Sequence, residues 1–129
     1  MKVLVCGGRD FTNVAFVWRE MDRLHDATPI SEIMTGGATG ADTIANDWAK
    51  TKPIIRYVCK ADWEKYGKSA GPKRNARMLE WEPDLVVAFP GGRGTANMVR
   101  RATAAGIRVA TPGQGEPSAP VPRPDPAAD

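Results

Sequence analysis

Pro90-Gly91-Gly92-Arg93-Gly94-Thr95 is the segment of this chain best suited to chemistry. It follows the apolar run Asp84-Leu85-Val86-Val87-Ala88-Phe89 and precedes a helix-like stretch beginning near Ala96. A strand that breaks into glycines and then enters a helix aims backbone N–H groups and a helix N-terminus at one point. That geometry binds anions, most often phosphate. Thr95 is expected either to cap the helix or to donate to a phosphate oxygen. The arrangement recurs at Gly36-Gly37-Ala38-Thr39-Gly40-Ala41-Asp42 and, in shorter form, at Gly7-Gly8-Arg9-Asp10. Asp42 is placed either to accept from a ribose hydroxyl or to face the helix dipole. The longer two loops lack the Gly-Lys-Ser/Thr ending of a P-loop and the G-x-G-x-x-G spacing. Three such turns in one small domain indicate a nucleotide-sized ligand.

A further basic element is Ala70-Gly71-Pro72-Lys73-Arg74-Asn75-Ala76-Arg77-Met78. Arg74 and Met78 are one helical turn apart and share a face. Arg74, near a helix start, would set its guanidinium fork beside a bound phosphate or carboxyl group. Lys73 and Arg77 are assigned to other, solvated faces. Trp63, Tyr66 and Lys68 lie just upstream. An aromatic side chain there either stacks on a base or packs its loop onto the domain. Trp18, Trp48 and Trp81 fall on predicted helices and read as core or interface residues. Cys6 and Cys59 fall in predicted strands and read as reduced core residues. His25 is the single histidine, so a histidine metal site or a Ser-His pair has little to draw on, and no metal is expected.

These residues need a scaffold, and the chain supplies alternating strand and helix signals. Strands are expected at 2–6, 32–35, 54–59, 85–89 and 107–110. Helices are expected at 13–25, 41–50, from Pro72 to about Trp81, and at 95–105. Val14, Val17, Met21 and Leu24 recur with helical spacing. Pro72 suits a first helical position, and Gly106 suits the position after a helix end. Lys60 to Gly71 reads as a polar connection. The alternation predicts a Rossmann-like, doubly wound α/β domain with a parallel sheet and helices on both faces. With strand order 3-2-1-4-5, the turns at 7–10 and 91–95 flank one crevice at the point where strand order reverses, with 36–42 beside it.

Composition sets the outer bounds. The 129 residues fit one domain, and the apolar fraction of 42% is ordinary for a globular protein. No apolar run reaches the roughly 20 residues needed to span a bilayer. Met1 to Cys6 reads as a first strand, too short for a signal peptide, so a cytoplasmic location is expected. The net charge of +3 is uneven, because Glu116, Asp125 and Asp129 lie near the end of the chain. The remaining body is more basic and suits anionic ligands. Six prolines fall among the last eighteen residues, so residues 112–129 are expected to form a Pro-rich disordered tail behind a domain at 1–111.

Four motifs in order carry a resemblance: Met1-Lys2-Val3-Leu4-Val5-Cys6-Gly7-Gly8-Arg9-Asp10-Phe11, Gly-Gly-Ala-Thr-Gly-Ala-Asp at 36–42, Ala-Gly-Pro-Lys-Arg-Asn at 70–75, and Pro-Gly-Gly-Arg-Gly-Thr at 90–95. Together they resemble the YspA/YpsA-related branch of the SLOG superfamily over residues 1 to about 111. The resemblance implies a Rossmann-like domain that binds nucleotides or nucleotide-derived ligands. It also implies kinship with the Lonely Guy phosphoribohydrolases, which cleave the N-glycosidic bond of nucleoside monophosphates, and with the single-stranded-DNA-binding protein DprA. The hydrolases carry an arginine four residues before a methionine, matched here by Arg74 and Met78. They then carry Pro-Gly-Gly-x-Gly-Thr, matched by residues 90–95, and a catalytic glutamate shortly after it. Here Ala96, Asn97, Met98 and Val99 follow Thr95. N-glycosidic cleavage needs a carboxylate to stabilise the cationic sugar or activate water. Asn97 can hydrogen-bond a ribose or base but cannot ionise. Only Asp10 or Asp42, on other loops, would supply a carboxylate.

The sequence therefore favours a protein that binds a mononucleotide, ADP-ribose or cyclic-nucleotide type of ligand, as a sensor or a sequestering protein, including one from a phage countering nucleotide-signalled host defence. In that reading Gly7, Gly8, Gly37, Gly40 and residues 91–95 hold phosphates. Arg74 neutralises one of them, and Asp10, Asp42 and Asn97 meet ribose or base. Arg9, Gly36, Thr39, Asn75 and Pro90 complete the expected set. The alternatives are a phosphoribohydrolase-like enzyme and DprA-like binding of single-stranded DNA through the basic residues of 68–77. A homodimer or higher assembly is expected from the resemblance, with Trp48, Trp81 and Met98 on the apolar helix faces available for it.

Overall fold

The computed structural model describes residues 1–114. Five strands, β1 (Lys2–Cys6), β2 (Glu32–Thr35), β3 (Ile55–Val58), β4 (Leu85–Ala88) and β5 (Arg108–Ala110), form one sheet. All pairings are parallel and the order is β3-β2-β1-β4-β5, as the sequence predicts. The helices are α1 (Val14–Ala27), α2 (Ala41–Lys50), the short α3 (Trp63–Tyr66), α4 (Ala70–Leu79) and α5 (Arg93–Ala104).

Successive strand side chains point to opposite faces, and the core divides accordingly. Val3, Val5, Leu85 and Val87 pack with Val17 and Met21 of α1 and with Ile44 and Trp48 of α2. Leu4 and Val86 pack with Met78 of α4 and with Met98 and Ala102 of α5. Chain direction across the sheet reverses at β1, so the two helix pairs lie on opposite faces. The inner strand β4 is buried throughout, whereas every residue of the edge strand β3 is exposed. The expectation of doubly covered strands thus holds inside the sheet and fails at β3, whose residues stay exposed although α2 touches the strand.

Several local expectations shift. Cys59 lies just past β3, although its N–H still donates to Thr35 O at 2.8 Å. The connection 60–71 is not simply a loop: it holds α3 and a 3-10 turn at Gly67–Ser69, which runs straight into α4. Pro72 is therefore the third residue of α4, inside a first turn that does not need its N–H. Helix α5 begins at Arg93, with Gly92 as its cap. Thr95 is thus inside the first turn and does not cap it. At the other end, Gly106 N–H donates to Thr103 O and Ile107 N–H to Ala102 O, the paired bonds of a glycine-terminated helix.

Trp48 and Met98 are fully buried within the domain, so neither offers a surface for association. Trp81 lies beyond α4, beside the Tyr57 ring and under the Lys2 ammonium. Among the described residues no helix is long and apolar enough to cross a membrane. The chain stays attached to the domain as far as Gln114, whose side-chain amide donates to Ala88 O. The remainder of the expected tail lies outside the described residues.

Candidate functional site

The C-terminal ends of β1 and β4 are neighbours, with Cys6 paired to Ala88. Their loops meet directly: Gly8 N–H donates to Pro90 O at 2.8 Å. The β2–α2 loop joins them through Ala41 N–H to Gly8 O at 3.2 Å and Thr39 Oγ1 to Arg9 O at 3.3 Å. The three glycine turns are thus stitched into one unit. This contact requires glycine at Gly91, where an added Cβ would lie 2.2 Å from Thr95 Oγ1 and 2.7 Å from Gly8 N.

A cavity of about 1060 Å³ opens over this unit. It is lined by most of the residues singled out in the sequence: Gly7 to Asp10, Gly36, Asp42, Arg74, Asn75, Pro90 to Thr95, and Asn97. Gly37, Thr39 and Gly40 are not in its wall; they hold the turn beneath it. Cations dominate the lining, with Arg9, Lys68, Arg74, Arg93 and Arg100 against the carboxylates of Asp10 and Asp42. Arg100 is the lining cation that sequence reasoning missed. Its signal was available, because Arg93, Asn97 and Arg100 are spaced to share one helical face.

The N-terminus of α5 forms one wall. No side chain caps it and no acidic residue stands in its first turn. The first N–H groups of a helix have no partner within it, and here they border the cavity. Thr95 is only 7% exposed, and among the described residues its hydroxyl has no hydrogen-bond partner. Thr95 lines the cavity, and a free hydroxyl with open N–H groups beside it is a ready donor set for an anion.

Other candidates are already engaged with the protein. Arg74 donates from Nε to Asn75 Oδ1 at 3.0 Å, and from Nη1 to Gly36 O at 3.0 Å and Cys59 O at 3.5 Å. It ties α4 to two loops before it meets any ligand. Asn75 is 4% exposed, and its amide donates to Gly94 O at 3.1 Å and Asn97 Oδ1 at 3.0 Å. Asn97 Oδ1 also accepts from Arg101 Nε at 3.0 Å. Its oxygen is therefore occupied, and its NH₂ is the group left to meet a ligand oxygen. Arg77 is not merely solvated, since it donates to Lys60 O at 3.1 Å. We expect Asn75→Ala to lower stability by about 2 kcal/mol, because it removes three part-buried hydrogen bonds at once. Urea denaturation would measure the loss, and an unchanged midpoint would contradict this role.

Asp42 sits on the cavity floor at 4% exposure. Its Oδ2 accepts from Gly36 N–H at 3.0 Å and Ala38 N–H at 3.2 Å. It pins the loop from within the first turn of α2. Burial pushes its carboxyl up to about 6, against the opposing pull of the Ala38 N–H, Arg74, the Gly36 N–H and Arg9. Burial, assisted by the Asp42 charge, pushes the neighbouring Cys6 thiol up to about 12. Cys6 is therefore a neutral thiol at physiological pH, not a nucleophile. Among the described residues no cluster of side chains suits a metal ion.

This architecture has relatives. The family model described as YspA, cpYpsA-related SLOG family (YAcAr) matches residues 1–66. The Gene 61 protein of Mycobacterium phage D29 is 38% identical, across 84% of this chain and 93% of that protein. The chain belongs to the YspA, cpYpsA-related SLOG family. Two solved structures share the SLOG-type fold at low identity. TM1055, a structural-genomics target, superposes with a TM-score of 0.65 at 20% identity, covering 84% of this chain and 71% of its own. The Moco carrier protein of Chlamydomonas reinhardtii superposes with a TM-score of 0.58 at 18% identity, covering 89% of this chain and 78% of its own. The SLOG family model ends at Tyr66, ahead of α4 and α5. The wall made by Thr95, Asn97 and Arg100 therefore rests on the structure.

Proposed function

We propose that this crevice binds a nucleotide-derived ligand, such as a mononucleotide or ADP-ribose, and holds it without cleaving it. The observation that carries the reading is the uncapped α5 N-terminus with the unpartnered Thr95 hydroxyl beside it, facing a cavity rich in arginine. Those donors suit a phosphate. The cavity volume of about 1060 Å³ leaves room for much more than a phosphate. Met98, within the segment where the related hydrolases carry their glutamate, is buried, and Asn97 is committed through its oxygen to Asn75 and Arg101. Neither supplies the carboxylate that glycosidic cleavage needs. Family membership supports ligand binding in general. A relative encoded by a phage, together with the small size of the domain, fits sequestration of a signalling nucleotide.

Calorimetric titration against AMP, ADP-ribose and cyclic nucleotides tests the proposal. We expect saturable binding that weakens about tenfold or more in Thr95→Ala, which removes one hydrogen bond to a charged group. Arg100→Ala should weaken it as well, because Arg100 is an exposed cation of the cavity wall. Absence of binding to every member of the panel would overturn the proposal. Release of free base from nucleoside monophosphates, abolished by Asp10→Ala or Asp42→Ala, would replace it with the enzymatic reading.

A further inference from the structure

Trp63 is a large apolar side chain in an unusual place. It opens α3 and leaves 48% of its surface exposed, yet it lines the cavity. A tryptophan that only fastened its loop would bury its ring against the domain. One ring edge meets α4: Cη2 lies 3.3 Å from where a Cβ on Gly71 would stand. Glycine at that position lets the ring edge seat against α4.

The ring face is reachable from the opposite wall. The guanidinium of Arg9, on the β1–α1 loop, lies over the Trp63 ring with Cζ 5.3 Å from the centroid. That distance is within cation–π range. A planar base on that ring would take the place of this guanidinium. The other aromatic groups nearby are not available. Tyr66 does not line the cavity. Phe11 lines it but packs against Phe16 and Phe89.

We infer that the Trp63 ring is a stacking platform for the base, so that the crevice selects ligands carrying a planar aromatic base over sugar phosphates of the same charge. This inference rests on the proposed nucleotide-binding function and adds the part of the ligand that the site discriminates. The anion donors at α5 hold the phosphate end, and Trp63 holds the base end. Base–aromatic stacking contributes about 1–3 kcal/mol per base, enough to separate a nucleotide from its sugar phosphate by an order of magnitude.

The test compares AMP with ribose 5-phosphate as calorimetric probes of the wild-type protein, Trp63→Ala and Trp63→Phe, with thermal melts confirming that each variant is folded. Wild type should bind AMP about tenfold or more tightly than ribose 5-phosphate. Trp63→Ala should lose about that factor for AMP while its affinity for ribose 5-phosphate stays within about twofold. Trp63→Phe, which keeps an aromatic face, should retain most of the AMP affinity. Equal wild-type affinities, or a Trp63→Ala variant that loses both probes alike or neither, would overturn the platform while leaving the nucleotide crevice in place. A wild-type protein that binds neither probe would overturn both.

Discussion

Gly40→Ala should destabilise the domain by about 3 kcal/mol or more, because strain and collision act together. Gly40 caps α2 with φ +78° and ψ −132°, a backbone conformation that side-chain-bearing residues rarely adopt. A Cβ built there would stand 2.2 Å from Gly8 O and 2.5 Å from Arg9 O. Both are backbone atoms of the β1–α1 loop, so no rotamer change relieves the contact. The Gly8 carbonyl also accepts the Ala41 and Phe11 N–H groups, so displacing it loosens two loops. A loss of about 3 kcal/mol is a large share of the roughly 5–15 kcal/mol that holds a domain folded. The urea midpoint should fall accordingly, and ligand affinity should fall with it. Gly92→Ala provides the contrast. Nothing lies within 4 Å of its added Cβ and its φ is −101°, so its midpoint should move by less than about 1 kcal/mol. Similar effects from the two substitutions would refute the account of the loop junction.

The second large effect is a pH dependence centred on Asp42. Its carboxyl rises from an ordinary 3.8 to about 6 in the folded protein, chiefly because burial penalises the charge. The folded state therefore holds this proton more tightly than the unfolded state does. The contribution of Asp42 to stability is fully present below about pH 4, falls as pH rises through about 6, and is gone above that. A shift from 3.8 to about 6 corresponds to about 3 kcal/mol across that window. Asp42→Asn removes the titration and keeps an oxygen to accept from Gly36 and Ala38. It should be as stable as wild type near pH 4 and more stable at pH 7, by up to about 3 kcal/mol. Asp42→Ala removes the acceptor as well and should be less stable than Asp42→Asn at every pH. Denaturation midpoints between pH 4 and 8 would show both effects. A wild-type profile parallel to that of Asp42→Asn would exclude the burial penalty.

Much of the fold was legible in the chain. Short apolar runs alternating with helical periodicity identified five parallel strands, and the order 3-2-1-4-5 expected of such a fold brings the glycine turns together. Boundaries slipped where tertiary contacts outweigh local signals. Pro72 marks a helix start in isolation, but α4 begins two residues earlier because the preceding 3-10 turn feeds into it. Thr95 has the chemistry of a cap, yet Gly92 takes that position and leaves the hydroxyl inside the first turn. Arg100 shares a helical face with Arg93 and Asn97, but only the packing of α5 shows that this face borders the cavity.

The sequence by itself determined the parallel α/β architecture, the family, and the three glycine turns, because apolar periodicity and backbone permissiveness are local properties that neighbouring residues express. Tertiary structure alone decided which polar groups are spent and which are free. Asn75 is fully engaged, Arg74 is bound to Gly36 O across 38 residues of chain, and Asp42 is held by two backbone N–H groups. Thr95, the NH₂ of Asn97 and Arg100 remain open to the crevice, and Trp63, under the Arg9 guanidinium, lines it. Hydrogen-bond satisfaction and burial depend on partners distant in sequence, and they separate the groups that build the crevice from those that meet its ligand.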